Sequence, residues 1–392
     1  MKRFIFIFSL LSLPTLFSCQ SNNYSVNSNT PVESLYLDQN FDIPISFKLE
    51  SEQEVFMLDD AMLAVVENDI NTTQDSKKKA MKLLNHIFSK EKIDLSYSGN
   101  ANLTAREAYH SQTANCMSLT IMAYALAKEA NLVVDFQQVD VPEYWVRNGQ
   151  YNLLTGHVNL LIKPSEHPER HVVYGNNNIQ IDFDPFVVKE TFSKRVITKN
   201  TVLAMYYNNK GGQALVDEEY DTAYQYFKAA TLTDNNFSAA WGNLAVLYRL
   251  TDNLSMAERA YRYAVEIGPR NLTALKNLAL LLRIQQKYEE ADDIDNRLLI
   301  KRIKNPYYHA VLADEAYYKH DYRTALKHYK KAVRLNKNIH ELYFGMAKTL
   351  YQMNRLPEAE RALKKALSLN KFESTENQYI AKLNFLRAER TN

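Results

Sequence analysis

Glycine and proline are scarce in this chain of 392 residues, with 9 Gly and 10 Pro, where average usage would give about 7% and about 5%. That scarcity excludes a collagen-like, linker-like or turn-dense all-β chain and favours helices. Cysteine is scarcer still: there are 2, Cys19 and Cys116, too few for a disulfide framework. Charge of one sign is not in excess either. Lys and Arg number 47 against 45 Asp and Glu, and setting Lys2 and Arg3 aside leaves 45 of each. No basic domain or stripe is read along the chain, so a nucleic-acid partner is not expected. Lys77, Lys78 and Lys79 read as a solvated helix face. The apolar run over residues 4–13 is too short to span a bilayer.

That run follows Lys2 and Arg3 and precedes small residues, which is the pattern of a secretory signal. Leu16, Phe17, Ser18 and Cys19 resemble a bacterial lipoprotein processing box. The resemblance implies a signal peptide over residues 1–18, a lipid on Cys19 and, from Gln20 beside it, an outer-membrane lipoprotein facing the periplasm. Residues 19–48, rich in Ser and Asn at their start, are then expected to be a tether. Cys116 is left as the lone thiol of the mature chain. In an oxidising compartment such a thiol is a liability unless it is buried or used.

The strongest internal signal is a repeat. Ala223, Ala257, Ala291, Ala325 and Ala359 recur with one period and no insertion. Four positions after each stand Phe227, Tyr261, Asp295, Tyr329 and Leu363; seven after stand Ala230, Ala264, Leu298, Ala332 and Ala366. Earlier in each unit a small residue recurs as Gly211, Ala245, Ala279, Ala313 and Ala347. Two amphipathic helices per unit fit this pattern, with small residues where backbones approach and large ones between units. One pair cannot bury its apolar stripe alone, so several must stack. The second unit, with Trp241, Leu244, Ala245, Tyr248, Ala257, Tyr261, Ala264 and Pro269, most closely resembles the tetratricopeptide repeat. Five repeats are expected over 204–371, with a capping helix in 372–392 carrying Tyr379, Leu383 and Leu386. The third unit departs from the pattern at Asp295. Asn209, Asn243 and Asn277 recur on the face that lines the concave groove in that family, and Arg249, Arg283 and Lys348 would add positive charge to it. The resemblance implies a protein or peptide ligand there.

Between tether and repeats, residues 51–69 and 75–89 read as amphipathic helices. Thr104 and Glu107 have capping-box spacing. A further helix runs from about Asn115 to Glu129 with Leu119, Met122, Ala123 and Leu126 inward, placing Cys116 in its first turn. Strand patterns follow over 133–141 and 156–162, the latter with His157, Asn159 and Leu161 on one face. Residues 172–174 and 179–183 read as a hairpin across Gly175 to Asn178, ending at Asp182 and Asp184 before Pro185. Amide dipoles at a helix start and a neighbouring imidazolium favour a thiolate, and an Asp can hold the imidazole in one orientation. His110 is an alternative base. His167 and His171 flank Pro168, which breaks any helix, so they read as a loop; no metal site and no cofactor are inferred.

Residues 104–185 resemble a transglutaminase-like core, which is papain-related. The matching stretches are Asn115 to Leu119 around Cys116, Gly156 to Val158 around His157, and Ile181 to Pro185 with Asp182 and Asp184. The resemblance implies a Cys116–His157–Asp site in an α+β domain over 49–200, followed by the all-α repeat solenoid. Asp184 matches the Asp-Pro pattern while Asp182 sits deeper in the strand, and both stay candidates for the third member. Val158 follows His157 where transglutaminases commonly have a small residue and Trp, which favours hydrolysis over cross-linking. The expectation is a membrane-anchored cysteine hydrolase of peptidase or amidase type with a protein-binding arm. The other reading is a non-catalytic lipoprotein scaffold.

Overall fold

The computed structural model describes residues 32–88, 96–97, 101–111, 113–148, 151–163, 178–183, 192–370, 376 and 379–384. Cys19, Asp184, His167, His171 and Leu386 lie outside them. Among the described residues no helix is long and apolar enough to cross a membrane.

Among the described residues, five α-helices and two small sheets precede the repeats. The helices are α1 (Glu52–Phe56), α2 (Asp60–Asn68), α3 (Ser76–Phe88), α4 (Ala105–His110) and α5 (Cys116–Glu129). Strands β1 (Ser96–Tyr97) and β2 (Thr113–Ala114) pair in parallel. The larger sheet is antiparallel, in the order β5-β4-β3-β6, from β3 (Val133–Asn148), β4 (Tyr151–Lys163), β5 (Ile179–Ile181) and β6 (Lys194–Ile197). Its apolar side meets α5: Ile121, Met122 and Leu126 share one core with Phe136, Leu160, Ile162 and Ile181.

Residues 51–69 form two helices where the sequence reads as one. Ser51 opens α1 with a capping box to Glu54, and Asp59 opens α2 by accepting from the Met62 amide at 3.1 Å. Two cap side chains within nine positions offer the backbone two starts, and Met57 between them is extended. The Thr104–Glu107 capping box forms as its spacing predicts. β5 pairs with β4, bringing Ile181 opposite Leu160; residues 172–174, its expected hairpin partner, lie outside the described residues.

The repeat region holds five helix pairs: α6 (Lys199–Val216) with α7 (Tyr220–Thr233), α8 (Ser238–Leu250) with α9 (Leu254–Ile267), α10 (Leu272–Ile284) with α11 (Tyr288–Arg302), α12 (Pro306–Tyr318) with α13 (Tyr322–Leu335), and α14 (His340–Gln352) with α15 (Leu356–Leu369). Ala223, Ala257, Ala291, Ala325 and Ala359 are all fully buried, as close helix approach requires. At Gly211 a Cβ would stand 2.7 Å from the Phe227 ring, so the smallest residue is needed there. Each pair turns through one left-handed residue: Glu218, Asp252, Gln286, His320 and Asn354 have φ between 55° and 63°. The amide after each bonds a carbonyl five residues back, as Lys287 to Leu282 at 2.8 Å, the closure typical of a helix end. In the third unit Asp295 replaces aromatic packing with ion pairs to Lys276 and Arg283, both at 2.8 Å. Beyond the last pair, Tyr379 and Leu383 are buried against Leu350 and Leu363.

Two findings depart from expectation. First, residues 32–50 are no free tether but a strap docked on the first two pairs. Leu35 is fully buried and Phe41 nearly so, in one cluster with Trp241 and Tyr248. Phe41 stacks on Tyr224 at 4.4 Å between centroids, and Tyr36 on Trp241 at 5.6 Å. The strap backbone is held as well: Tyr248 Oη donates to the Leu35 carbonyl at 2.8 Å and the Leu37 amide to Tyr224 Oη at 2.9 Å. Lys228 pairs with Asp38 at 2.6 Å and holds its carboxyl below the usual range. Second, α13 carries a row of exposed cations, Arg323, Lys327, Lys330 and Arg334, at successive helical turns. The balanced composition conceals this stripe.

The apolar core is not continuous along the solenoid. Leu298 of α11 closes the cluster shared by the first three pairs. Ala332, Ile339 and Leu342 form a separate small cluster, and Leu326, Leu363 and Leu383 belong to a third. At this joint Leu299 and Ile300 are exposed, and β3 lies against α12.

Candidate functional site

Cys116 is the first residue of α5. The helix begins there because Asn115 caps it, its Oδ1 accepting from the Ser118 amide at 2.8 Å while its Nδ2 is fixed on Asn102 at 2.9 Å. Thr120, one turn on, donates to the Cys116 carbonyl at 2.7 Å. The thiol is buried. His157 on β4 is also buried, and its Nε2 donates to Asp182 Oδ1 at 2.7 Å. With Nε2 committed to Asp182, Nδ1 is the ring nitrogen left for another partner, and the Cys116 side chain is near enough to act on the ring's protonation. Burial opposes protonation of this ring, yet the hydrogen bonds to Asp182 and Cys116, aided by their charges, push His157 up to about 10 from 6.5.

The structure therefore brings three of the four expected catalytic side chains together. Asp182, one residue beyond β5, contacts His157; Asp184 lies outside the described residues. His110 is elsewhere, salt-bridged to Asp59. Two donors beyond the expected set reach Asp182 Oδ2: Asn159 Nδ2 at 2.9 Å and Gln180 Nε2 at 3.2 Å. Sequence pattern placed Asn159 on the His157 face without giving it a task. Its signal is a polar residue between apolar strand neighbours, two positions from the histidine. Among the described residues no group of three His, Cys, Asp or Glu side chains gathers as metal ligands would.

Several of the expected groove residues have partners within the protein, although none of them is buried. Asn209 is exposed, with its Nδ2 3.9 Å from Sδ of Met117, the neighbour of Cys116. Asn243 Nδ2 donates to Asn208 Oδ1 at 2.9 Å. Arg249 lies against the buried Tyr261, which burial pushes up to about 12 while the guanidinium pulls the other way. Arg283 is held by Asp292 and Asp295 at 2.5 and 2.8 Å. Asn277 is half-buried. A groove of about 190 Å³ lies between α12 and α14, lined by Tyr307, Ala310, Asp314, Phe344, Gly345 and Lys348. The Lys348 ammonium stands 5.2 Å from the Tyr317 ring centre and 5.6 Å from that of Phe344.

Residues 316–374 match the family model for the tetratricopeptide repeat. The match covers the turn and second helix of the fourth pair and all of the fifth. Among solved structures, the chain is similar to PilF of Pseudomonas aeruginosa, at 19% identity and TM-score 0.31, over 50% of this chain and 88% of that one. It is similar to YrrB, a TPR protein with an unusual peptide-binding site, at 15% identity and TM-score 0.25, over 45% and 90%. A tetratricopeptide repeat protein from Parabacteroides merdae gives 20% identity and TM-score 0.29, over 48% and 75%. No curated protein matches the sequence. Residues 316–374 are thus tetratricopeptide repeat, within a C-terminal region of five successive helix pairs; repeats of this kind suggest a protein-interaction scaffold. The N-terminal region is an α+β unit with a small antiparallel sheet.

Proposed function

We propose that this protein is a tetratricopeptide-repeat scaffold that binds a protein or peptide, and that its α+β domain is a cysteine hydrolase of transglutaminase-like type. The scaffold half is supported by the five stacked helix pairs and the family match in the last two. Asn243, Arg249 and Arg283 have partners within the solenoid, and in this reading the groove between α12 and α14 takes the ligand. The chemical half is supported by one observation: His157 Nε2 is held by Asp182 at 2.7 Å, and the Cys116 side chain is close enough to raise the ring's pKa.

In that reading Cys116 Sγ, as the thiolate, attacks the carbonyl carbon of an amide and forms a C–S bond. The oxyanion is met by the amide N–H groups of Cys116 and Met117, in the first turn of α5, where a helix supplies no carbonyl partners of its own. Protonated His157 gives its proton to the leaving amine as the C–N bond breaks. Water then attacks the thioester, His157 accepts its proton, and the acid and the thiol are released. Asp182 holds the ring throughout. Residues 1–19 support a lipid-anchored, periplasm-facing outer-membrane protein, which labelled palmitate incorporated in the wild type and lost in Cys19→Ala would test.

The chemical half is tested by the rate of Cys116 alkylation with iodoacetamide from about pH 5 to about pH 9. Reactivity that persists on the acid side and collapses in His157→Ala is expected. A thiol that titrates near pKa ~8.5 and ignores the His157 substitution leaves the scaffold function alone standing.

A further inference from the structure

Asn159 is fully buried, with no accessible surface, between the core residues Val158 and Leu160 of β4. An amide in that place needs a reason, because an aliphatic side chain would pack there without any polar group to satisfy. One end of the amide has a partner: Nδ2 donates to Asp182 Oδ2 at 2.9 Å. The other end has none, since Oδ1 is buried without a hydrogen-bond partner among the described residues. An unsatisfied buried acceptor is a cost in stability, because it has given up water and gained no partner. Turning the amide over would set that oxygen against the carboxylate, so the orientation is fixed by Asp182.

The two carboxylate oxygens thus have separate tasks. Oδ1 accepts from His157 Nε2 at 2.7 Å and Oδ2 from Asn159 Nδ2. Gln180 also reaches Oδ2, at 3.2 Å, but it is exposed and competes with water. Asn159 is therefore the buried donor that stops the carboxylate rotating about its own bond. We propose that Asn159 is a positioning residue, clamping Asp182 so that His157 presents its free nitrogen to Cys116. This rests on the reading of Cys116 as the nucleophile, and it assigns a cost in stability to a gain in orientation.

The test compares wild type with Asn159→Leu and Asn159→Ala by the rate of Cys116 alkylation against pH, with melting temperature alongside. The expected result is at least a tenfold loss of rate near pH ~6 and a pH profile moved toward that of a free thiol near ~8.5. Asn159→Leu should meanwhile melt no lower than Asn159→Ala. A wild-type profile on the acid side that both variants keep unchanged overturns the role of Asn159 and leaves Cys116 as the nucleophile. A wild-type profile of an ordinary thiol overturns both. If the variants fail to fold, the side-chain amide protons of Asn159 in the unaltered protein give a second reading by NMR. Slow exchange with water supports the clamp, and exchange as fast as in exposed Asn side chains overturns it.

Discussion

Replacing Leu35 by Ala asks whether residues 32–50 are a strap or a tether. Leu35 has no accessible surface and belongs to the cluster containing Trp241 and Tyr248. Truncation removes three carbons, worth about 2 kcal/mol in transfer at ~0.8 kcal/mol for each group. The walls of the hole are large rings packed on neighbouring helices, which collapse poorly, so the cavity adds to this and the expected total is about 2–4 kcal/mol. Phe41→Ala should cost about 3–5 kcal/mol, because it also ends the stack on Tyr224. The main-chain hydrogen bonds of the strap survive both substitutions, so the losses report apolar packing. Urea unfolding followed by fluorescence is the assay, since Trp241 lies in the same cluster and stacks on Tyr36. If both variants unfold within ~0.5 kcal/mol of wild type, the margin of ordinary surface changes, residues 32–50 do not hold the solenoid and the strap is refuted.

Two further outcomes follow from turns and titration. Glu218, Gln286 and His320 stand at left-handed φ without the short side chain by which Asn or Asp bonds its own backbone, although His320 Nδ1 bonds the Tyr322 hydroxyl at 2.9 Å. Each change to Gly should stabilise by about 0.5–1 kcal/mol, and the three together nearly additively, in thermal unfolding; a net loss would show that these side chains make contacts worth more than the strain. Because folding raises the His157 pKa to about 10 from 6.5, its stabilisation is complete below about pH 6.5 and fades as pH rises through about 10. At about 1.4 kcal/mol for each pH unit between the two values, the stability gap between wild type and His157→Gln should narrow from pH ~6 to pH ~10, and a gap that widens would contradict the assigned partners.

What could be read from the amino acids depended on how local the physics was. Ala223, Ala257, Ala291, Ala325 and Ala359 disclose the solenoid because each repeats one contact at one period. Thr104, Glu107 and Asn115 disclose helix starts because a cap is satisfied within three residues. The order Cys116, His157, Asp182 was legible, but their meeting depends on α5 lying on β4 and on the pairing of Ile181 with Leu160. The strap was illegible. Leu35 and Phe41 stand singly in polar sequence with no helical or strand period, and their partners come nearly two hundred residues later, at Tyr224, Trp241 and Tyr248. For the groove asparagines, position in a repeat gives the face, while neighbours such as Asn208, which accepts from Asn243, and Met117, close to Asn209, come from elsewhere in the chain. Asp295 looked like a defect until Lys276 and Arg283 were found on it.

The interruption of the core between α11 and α12 bears on how the protein comes apart. In a stacked array, cooperativity is carried by the interfaces between neighbours rather than by the units themselves. Where one interface is thin, the array divides into blocks that open independently. The strap and the α+β domain are fastened to the first block. A ligand in the groove between α12 and α14 would therefore protect the last two repeats from hydrogen exchange while leaving Cys116 and its surroundings as they were. On the proposed reading, the block that would hold the partner and the block that carries the thiol would open separately, and β3 against α12 is the main contact through which one could inform the other.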